Sequence, residues 1–414
     1  MRNAERGTWN VEPFTFYLLP FTFYHYLFST RFDIGLEEGI FGSTENGVKY
    51  LSLKYMTILM VSKEKIHEIL SGYDLKQLTI ATICSHSSLQ IFHGAKHENF
   101  RTLGIALKTI PRYYEAFPRA KPDEFLVVDR YDELLDNEKT LQDKNVIIVP
   151  HGSFVEYLGT KAFEQLEVPT FGNRRVLDWE YNREKTRYWL EYANVPMPKK
   201  FTRPEDIDRP VIVKYYGAKG GKGFFIAKNY DEFSEFKPAG NYTIQEYVLG
   251  TRYYIHFFYS PISTNGYTLS KGALQLLSMD RRDEANIDEM YKLGAQEKLR
   301  EANIYPTFVV TGNVPVVLRE SLLPRVFDIA ERVVESSIKL FGGIIGPFCI
   351  ESIVMDNLEF RVFEISTRIV AGTNLFIRGS PYSDLIEDNL STGRRIAREI
   401  KLGIAKNMLT EIIS

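Results

Sequence analysis

The feature that most restricts the fold is an alternation of short apolar runs with helical stretches between residues 78 and 165. Leu78 to Ile83, Thr102 to Leu107, Phe125 to Val128 and Val146 to Val149 each read as a buried strand. Lys63 to Leu70 reads as a helix before them, and LQIFHGAKHENF after the first strand has helical apolar spacing. Strands separated by helices cannot pair as tight hairpins, so the crossovers imply a parallel sheet. The expectation is α/β: a Rossmann-like N-terminal domain over residues 60–175, followed by further elements of mixed type.

Two junctions in this region carry small polar residues. Ser85-His86-Ser87-Ser88 follows the first strand, and His151-Gly152-Ser153 follows the fourth, with FVEYLG read as a helix behind it. At the carboxyl edge of a parallel sheet, such junctions face a ligand crevice. A helix start offers free N–H groups and a positive dipole end to an anion. Ser85 or Ser87 can also serve only as a helix cap. Two junctions on one edge point to a phosphorylated small molecule.

Glu184 to Ala193 is a helix that exits through Pro196-Met197-Pro198. Val211 to Lys214 is a strand ending in lysine. It opens a glycine-rich hairpin with Gly217, Gly220, Gly221, Lys222 and Gly223, closed by the strand Phe224 to Ala227. No helix or Gly-Lys-Ser/Thr follows, so this is not a Walker loop. Glycines allow close backbone approach to phosphates, and the lysines neutralise them. Tyr242 to Val248 is a further strand. Met279 to Asp288, with Glu284 in it, reads as a charged loop, and Leu322 to Phe341 as a long amphipathic helix.

Ile350 to Ser366 reads as two short strands joined by a two-residue turn at Asp356-Asn357. Pairing Met355 with Leu358 puts Glu351 opposite Val362 and makes Glu364 its diagonal neighbour on the same face. Two converging carboxylates repel unless a cation lies between them. Magnesium carrying nucleotide phosphates would supply that charge. Two surface glutamates on a half-exposed sheet are the plainer reading of this hairpin taken alone.

In order, these parts resemble the ATP-grasp ligases: a linker helix, strand–Lys214–glycine hairpin, the QEYVLG hinge and two late glutamates. More narrowly, SHSSLQIFHGAK, VPHGSFVEYLG, VVTGNVPVVLRESLL, FEISTRIVAGTN and GSPYSDL resemble the archaeal formate-dependent 5-formaminoimidazole-4-carboxamide ribonucleotide (FAICAR) synthetases, the PurP family. The resemblance runs from about residue 60 to the C-terminus. It implies an ATP-grasp α+β domain pair over 176–414, with a small lid about 180–250 and a large subdomain about 251–414. It implies formylation of aminoimidazole carboxamide ribonucleotide (AICAR) with ATP and formate, through formyl phosphate, in purine biosynthesis. His86, Ser153 and Asn313 would hold AICAR. Lys214 and the Gly217–Gly223 hairpin would cover the ATP phosphates, and Gln245, Glu246 and Val248 would line the adenine site. Glu351 and Glu364 would hold Mg²⁺ or Mn²⁺. His86 would orient substrate or shuttle a proton, and Lys214 and Arg368 would join it in catalysis. Two positions depart from the wider ATP-grasp pattern. Arg252 stands where a ribose-binding glutamate is usual, with Glu284 its expected substitute. Ser366 replaces an asparagine after the second metal glutamate. The resemblance also implies a homo-oligomer. Another ATP-grasp ligase and a non-catalytic nucleotide-binding paralogue are the alternatives.

Composition sets limits. The 51 basic and 53 acidic residues leave a net charge of −2, which argues against a nonspecific nucleic-acid coat. Two cysteines make neither a ligand cluster nor a disulfide framework and suit a reducing cytoplasm. Residues 1–59 differ from the rest: Val11 to Ser29 is crowded with aromatics and holds two prolines. It makes a poor signal peptide and a poor membrane span. The expectation is an atypical extension or a misassigned start, with the true start at Met56 or Met60 favoured over a surface-packing or partner-binding segment.

Overall fold

The structure is a computed structural model that describes residues 60–215, 224–236, 240–286, 294, 296–302 and 308–414. The expectations for residues 1–59 and for Gly217, Gly220, Gly221 and Lys222 lie outside these residues.

The first sheet is parallel throughout. Its strands are β1 (Thr79–Ile83), β2 (Arg101–Leu107), β3 (Glu124–Val128) and β4 (Val146–Ile148), in the order β3-β2-β1-β4. All of β1 and the centre of β2 are buried, as expected of strands covered on both faces. Because β1 lies between β2 and β4, the order reverses beside it. Both polar junctions therefore leave the carboxyl edge next to the switch point, where open α/β sheets bind ligands.

One junction differs from its expected form. The helix Ser88–His97 follows the first as expected, although neither Ser85 nor Ser87 caps it with a side-chain hydrogen bond. The second opens not into a regular helix but into a π-type turn, Phe154–Leu158, and then a short helix, Thr160–Gln165. Gly159, at φ 84°, separates the two in a backbone region that only glycine enters freely.

The second sheet is small and antiparallel: β5 (Lys200–Phe201), β6 (Val211–Tyr215), β7 (Phe224–Ala227) and β8 (Tyr242–Glu246), ordered β5-β8-β6-β7. Phe201, Ile207, Val211, Val213, Ala227, Phe233 and Ile244 give it a core of its own. A sheet with a separate core can move as a unit at little packing cost, which suits a lid.

The third sheet comprises β9 (Thr251–Ser260), β10 (Tyr267–Thr268), β11 (Ala273–Asn286), β12 (Phe308–Pro315), β13 (Gly346–Val354) and β14 (Phe360–Ser366). Its order is β10-β11-β9-β13-β14, with β12 also paired to β11. The amphipathic helix Leu323–Phe341 buries Val326, Ile329, Ala330, Val333 and Val334 in a core continuous with the first sheet. Burying each of the valine and isoleucine side chains contributes roughly 1.5–3 kcal/mol. The linker helix Arg183–Tyr192 is pinned to it by Trp189, whose indole donates to Val333 O at 3.2 Å and Ser336 Oγ at 2.9 Å.

Two expectations are corrected here. The charged stretch 279–286 is not a loop but the second half of β11, paired with β12 from Asp280 to Asn286. Charged residues are stable in this strand because each inward one finds a partner, as described below. The β13–β14 connection is not a two-residue turn either. Met355 N donates to Glu359 O at 2.9 Å, leaving a three-residue loop with Leu358 at φ 65°. A bulge follows, so Ser352 faces Val362 but Glu351 faces Glu364 directly.

Candidate active site

The register of the third sheet gathers the site. Asn313 is opposite Arg282, Asp280 opposite Tyr254, Tyr254 opposite Glu351, and Glu351 opposite Glu364. Opposed residues share a face and alternate residues of a strand keep it, so one face carries all of these groups. Arg282 lays its guanidinium 3.5 Å from the Tyr254 ring centroid and reaches Glu351 Oε1 at 3.3 Å. Ser366 Oγ donates to the same oxygen at 3.0 Å. The position that departs from the wider ATP-grasp pattern thus supports the first glutamate. Glu284 is bound by Arg252, whose Nη1 donates to its two oxygens at 2.9 and 3.1 Å. Arg252 and the glutamate expected to substitute for the usual one therefore form one ion pair.

Glu351 is buried, whereas Glu364 opens onto the cleft while crowded by protein atoms. That crowding, then the charges of Glu351 and Glu180, push the Glu364 carboxyl up to about 7. Lys214, on β6 of the small sheet, is lowered by burial, while Glu364 pulls the other way and Arg183 and Arg252 add to the lowering. Lys214 of the small sheet and Glu364 of the large one thus feel each other's charge. Beyond Lys214, Glu246 ends β8. Its carboxylate accepts from Lys199 N at 3.0 Å and Arg209 Nη1 at 3.1 Å. Gln245 pairs with Ile212 and Lys200, and Val248 follows the strand end.

A divalent cation fits the glutamate pair. Two carboxylates face each other, one of them raised first by burial and then by its acidic neighbours, and a hard cation would offset that repulsion. No group of three or more His, Cys, Asp or Glu residues among the described residues could hold a metal. The remaining ligands would therefore be phosphate oxygens and water, the usual arrangement for magnesium with a nucleotide.

At the first sheet, His151 is fully buried. Its Nε2 lies 2.9 Å from Ile83 O, and its Nδ1 accepts from Ser153 N at 3.2 Å. Burial pushes its pKa down to about 3, so the ring is neutral and donates through Nε2. His86 stands exposed beside it, edge-on at 5.8 Å between ring centroids. The Oγ atoms of Ser87 and Ser153 are both buried without a hydrogen-bond partner among the described residues. Buried hydroxyls are rarely left unpaired, and two at the mouths of adjacent junctions suit a polar ligand.

Sequence reasoning missed Glu180 and Arg282. Glu180 holds Arg368 through Nη2 at 2.7 Å and accepts from Thr367 N at 2.7 Å and Thr367 Oγ1 at 2.9 Å. Arg368 lies over Gly152: a Cβ there would meet its Cζ at 3.4 Å. The segment after β14 thereby joins the glutamate pair to the His151–Ser153 junction. No motif announces Glu180. Arg282 could have been found by reading 279–286 as an alternating strand.

Two family models match the chain, one described as a protein of unknown function (DUF1246) over residues 80–201 and one as a domain of unknown function (DUF1297) over residues 235–414. A crystal structure of the ADP complex of N5-carboxyaminoimidazole ribonucleotide synthetase shares the fold, with TM-score 0.55 and 12% identity over 78% of this chain and 76% of that one. The chain has the ATP-grasp fold. An IMP biosynthesis protein PurP from Thermococcus kodakaraensis has TM-score 0.62 and 30% identity, covering 81% of this chain and 100% of that one. The 5-formaminoimidazole-4-carboxamide-1-(beta)-D-ribofuranosyl 5'-monophosphate synthetase of Methanothrix thermoacetophila is 65% identical over 356 residues, 86% of this chain and 100% of that protein. The chain belongs to this synthetase family.

Proposed function

We propose that this protein is a carbon–nitrogen ligase that formylates the 5-amino group of AICAR, using ATP and formate and releasing ADP and phosphate. The observation that carries the reading is the direct opposition of Glu351 and Glu364 on a face that continues, through Arg368, to the His86 and Ser153 junctions. That arrangement supports a reading in which a nucleotide–metal site and a polar ligand site lie close together.

Formate is a poor acylating agent. Its oxygen attacks the γ-phosphorus of ATP, the bond to the β-phosphate oxygen breaks, and formyl phosphate and ADP result. The AICAR amine then attacks the formyl carbon, phosphate departs with the C–O electron pair, and the amine loses a proton. Lys214 and the glycine hairpin cover the ATP phosphates, with Gln245, Glu246 and Val248 at the adenine end. Arg252 and Glu284 act together at the ribose end. Glu351 and Glu364 hold Mg²⁺ or Mn²⁺, which supplies charge neutralisation on the phosphates when bound. Asn313, His86 and Ser153 hold AICAR, and Arg368, beside Gly152, faces the oxygens that gain charge. Positioning and electrostatics supply most of the rate. A neutral His86 suits receipt of the amine proton: although the ring reaches solvent, the protein atoms crowding it and then the Arg368 charge lower its pKa, with Glu156 opposing.

The small sheet (about 180–250) acts as the lid over the large subdomain, and residues 60–175 carry the ribonucleotide. The enzyme works in the cytoplasm as a homo-oligomer. Among the described residues no helix is long and apolar enough to cross a membrane. The test is ADP release with formate and AICAR each omitted in turn. Release that needs both supports the assignment. Release supported by another carboxylate and amine, with none for formate and AICAR, would assign a different ligase.

A further inference from the structure

We infer that Asn374 is a positioning residue that holds His86 in the conformation presented to the cleft; this rests on His86 serving the AICAR amine as proposed above. His86 has φ 41°, in the left-handed region that non-glycine residues seldom adopt. Such a backbone persists only where its surroundings hold it. Asn374 Nδ2 donates to the His86 carbonyl at 3.3 Å, across 288 residues of sequence.

Asn374 belongs to a 3-10 turn, Ala371–Phe376, that is fixed from two sides. On one side, Gln90 of the helix after His86 bonds the Thr373 carbonyl, lies 3.2 Å from Thr373 Oγ1 and accepts from Gly393 N at 3.1 Å. On the other, Gly372 rests on Asp280, where a Cβ would come within 2.8 Å of both carboxylate oxygens and cannot be accommodated. Asp280 is itself bonded to His256 and lies on the sheet face that carries Glu351. A continuous set of contacts therefore runs from the metal-bearing sheet through Asp280, Gly372 and Asn374 to His86. Its effect is to set the imidazole edge-on to His151 and within the field of Arg368.

The test combines a double-mutant cycle with a spectroscopic measurement. Asn374→Ala, and Asn374→Asp, which keeps the size but loses the donor, should each raise the KM for AICAR about tenfold and leave the KM for ATP unchanged. In a His86→Ala background, Asn374→Ala should add less than about twofold, because Asn374 acts on AICAR only through the imidazole that this background lacks. Effects that multiply, or a normal AICAR KM in Asn374→Asp, would overturn the inference. Independently of turnover, histidine-labelled protein should show the His86 imidazole signal, assigned by its absence in His86→Ala, shifted in Asn374→Ala. A His86 signal that stays put, or one that moves together with every other histidine, counts against it. A wild-type enzyme inactive on AICAR would sink the formylation reading while the spectroscopic result still decides this one.

Discussion

Glu180 and Arg368 form a 2.7 Å ion pair that clamps a catalytic candidate against a glycine. The Glu180 carboxylate receives the guanidinium on one oxygen and the Thr367 amide and hydroxyl on the other. Arg368 Nε is buried without a hydrogen-bond partner among the described residues, beside Gly152. A guanidinium pinned at one end, with an unused donor at the other, is prepared to receive an anion.

The space above Gly152 makes this clamp testable. An added Cβ would sit 3.4–3.6 Å from Arg368, an ordinary contact, whereas the extra methyls of valine would have to displace the guanidinium. Gly152→Ala should stay within about threefold of wild-type kcat/KM for AICAR, and Gly152→Val should fall at least tenfold, in line with the loss of one charged hydrogen bond. Steady-state kinetics on the two variants checks this; equal activities would mean that Arg368 is not used where it stands.

Glu351→Gln or Glu364→Gln should abolish turnover and leave AICAR binding largely intact. Each substitution removes one of the two carboxylates that oppose each other on the sheet face. Phosphoryl transfer depends on that placement. Calorimetry with AICAR alone is the check: an affinity lost in step with turnover would contradict separate metal and ribonucleotide positions.

Much of this architecture was legible because it depends on short-range patterns. The parallel sheet follows from apolar runs divided by helices, and Lys214, Glu351 and Glu364 follow from motifs read in order. What escaped depends on tertiary partners. The stretch Asp280–Glu284 looked too charged for a strand, yet His256, Glu351 and Arg252 offset its inward charges. The direct Glu351–Glu364 pairing needs a bulge and a left-handed Leu358, neither of which has a residue signature here, since turns of that shape favour glycine or asparagine at that site. Glu180 sits on the helix Val176–Tyr181, and nothing local to it refers to Arg368, 188 positions further on.

Ser153→Ala should separate binding from stability. The hydroxyl is buried and has no hydrogen-bond partner among the described residues, so its removal forfeits no hydrogen bond to them and relieves a desolvated polar group. The melting temperature should hold or rise slightly, while the KM for AICAR rises roughly ten- to a hundredfold and the KM for ATP stays constant. A lowered melting temperature with unchanged AICAR kinetics would make Ser153 a packing residue only.

His151 should set part of the acid limb of stability. In the unfolded chain its imidazole titrates near 6.5, but in the folded protein burial holds the pKa at about 3. Above pH 6.5 both states carry a neutral ring, and the group adds no pH dependence. Between pH 6.5 and 3 the unfolded state binds a proton that the folded state refuses, so stability falls as pH falls, by roughly 1.4 kcal/mol per pH unit from this group. His151→Asn removes the titration while keeping polar atoms near Ile83 O and Ser153 N. The variant should be less stable than wild type at pH 7.5, where the native hydrogen bonds are intact. The gap should narrow steadily between pH 6 and 4.5, because only wild type pays for protonation of the unfolded chain. Urea unfolding of both proteins across that range measures the difference directly; a gap that stays constant would mean that His151 is charged in the folded state, and its role as an Nε2 donor with an accepting Nδ1 would have to be abandoned.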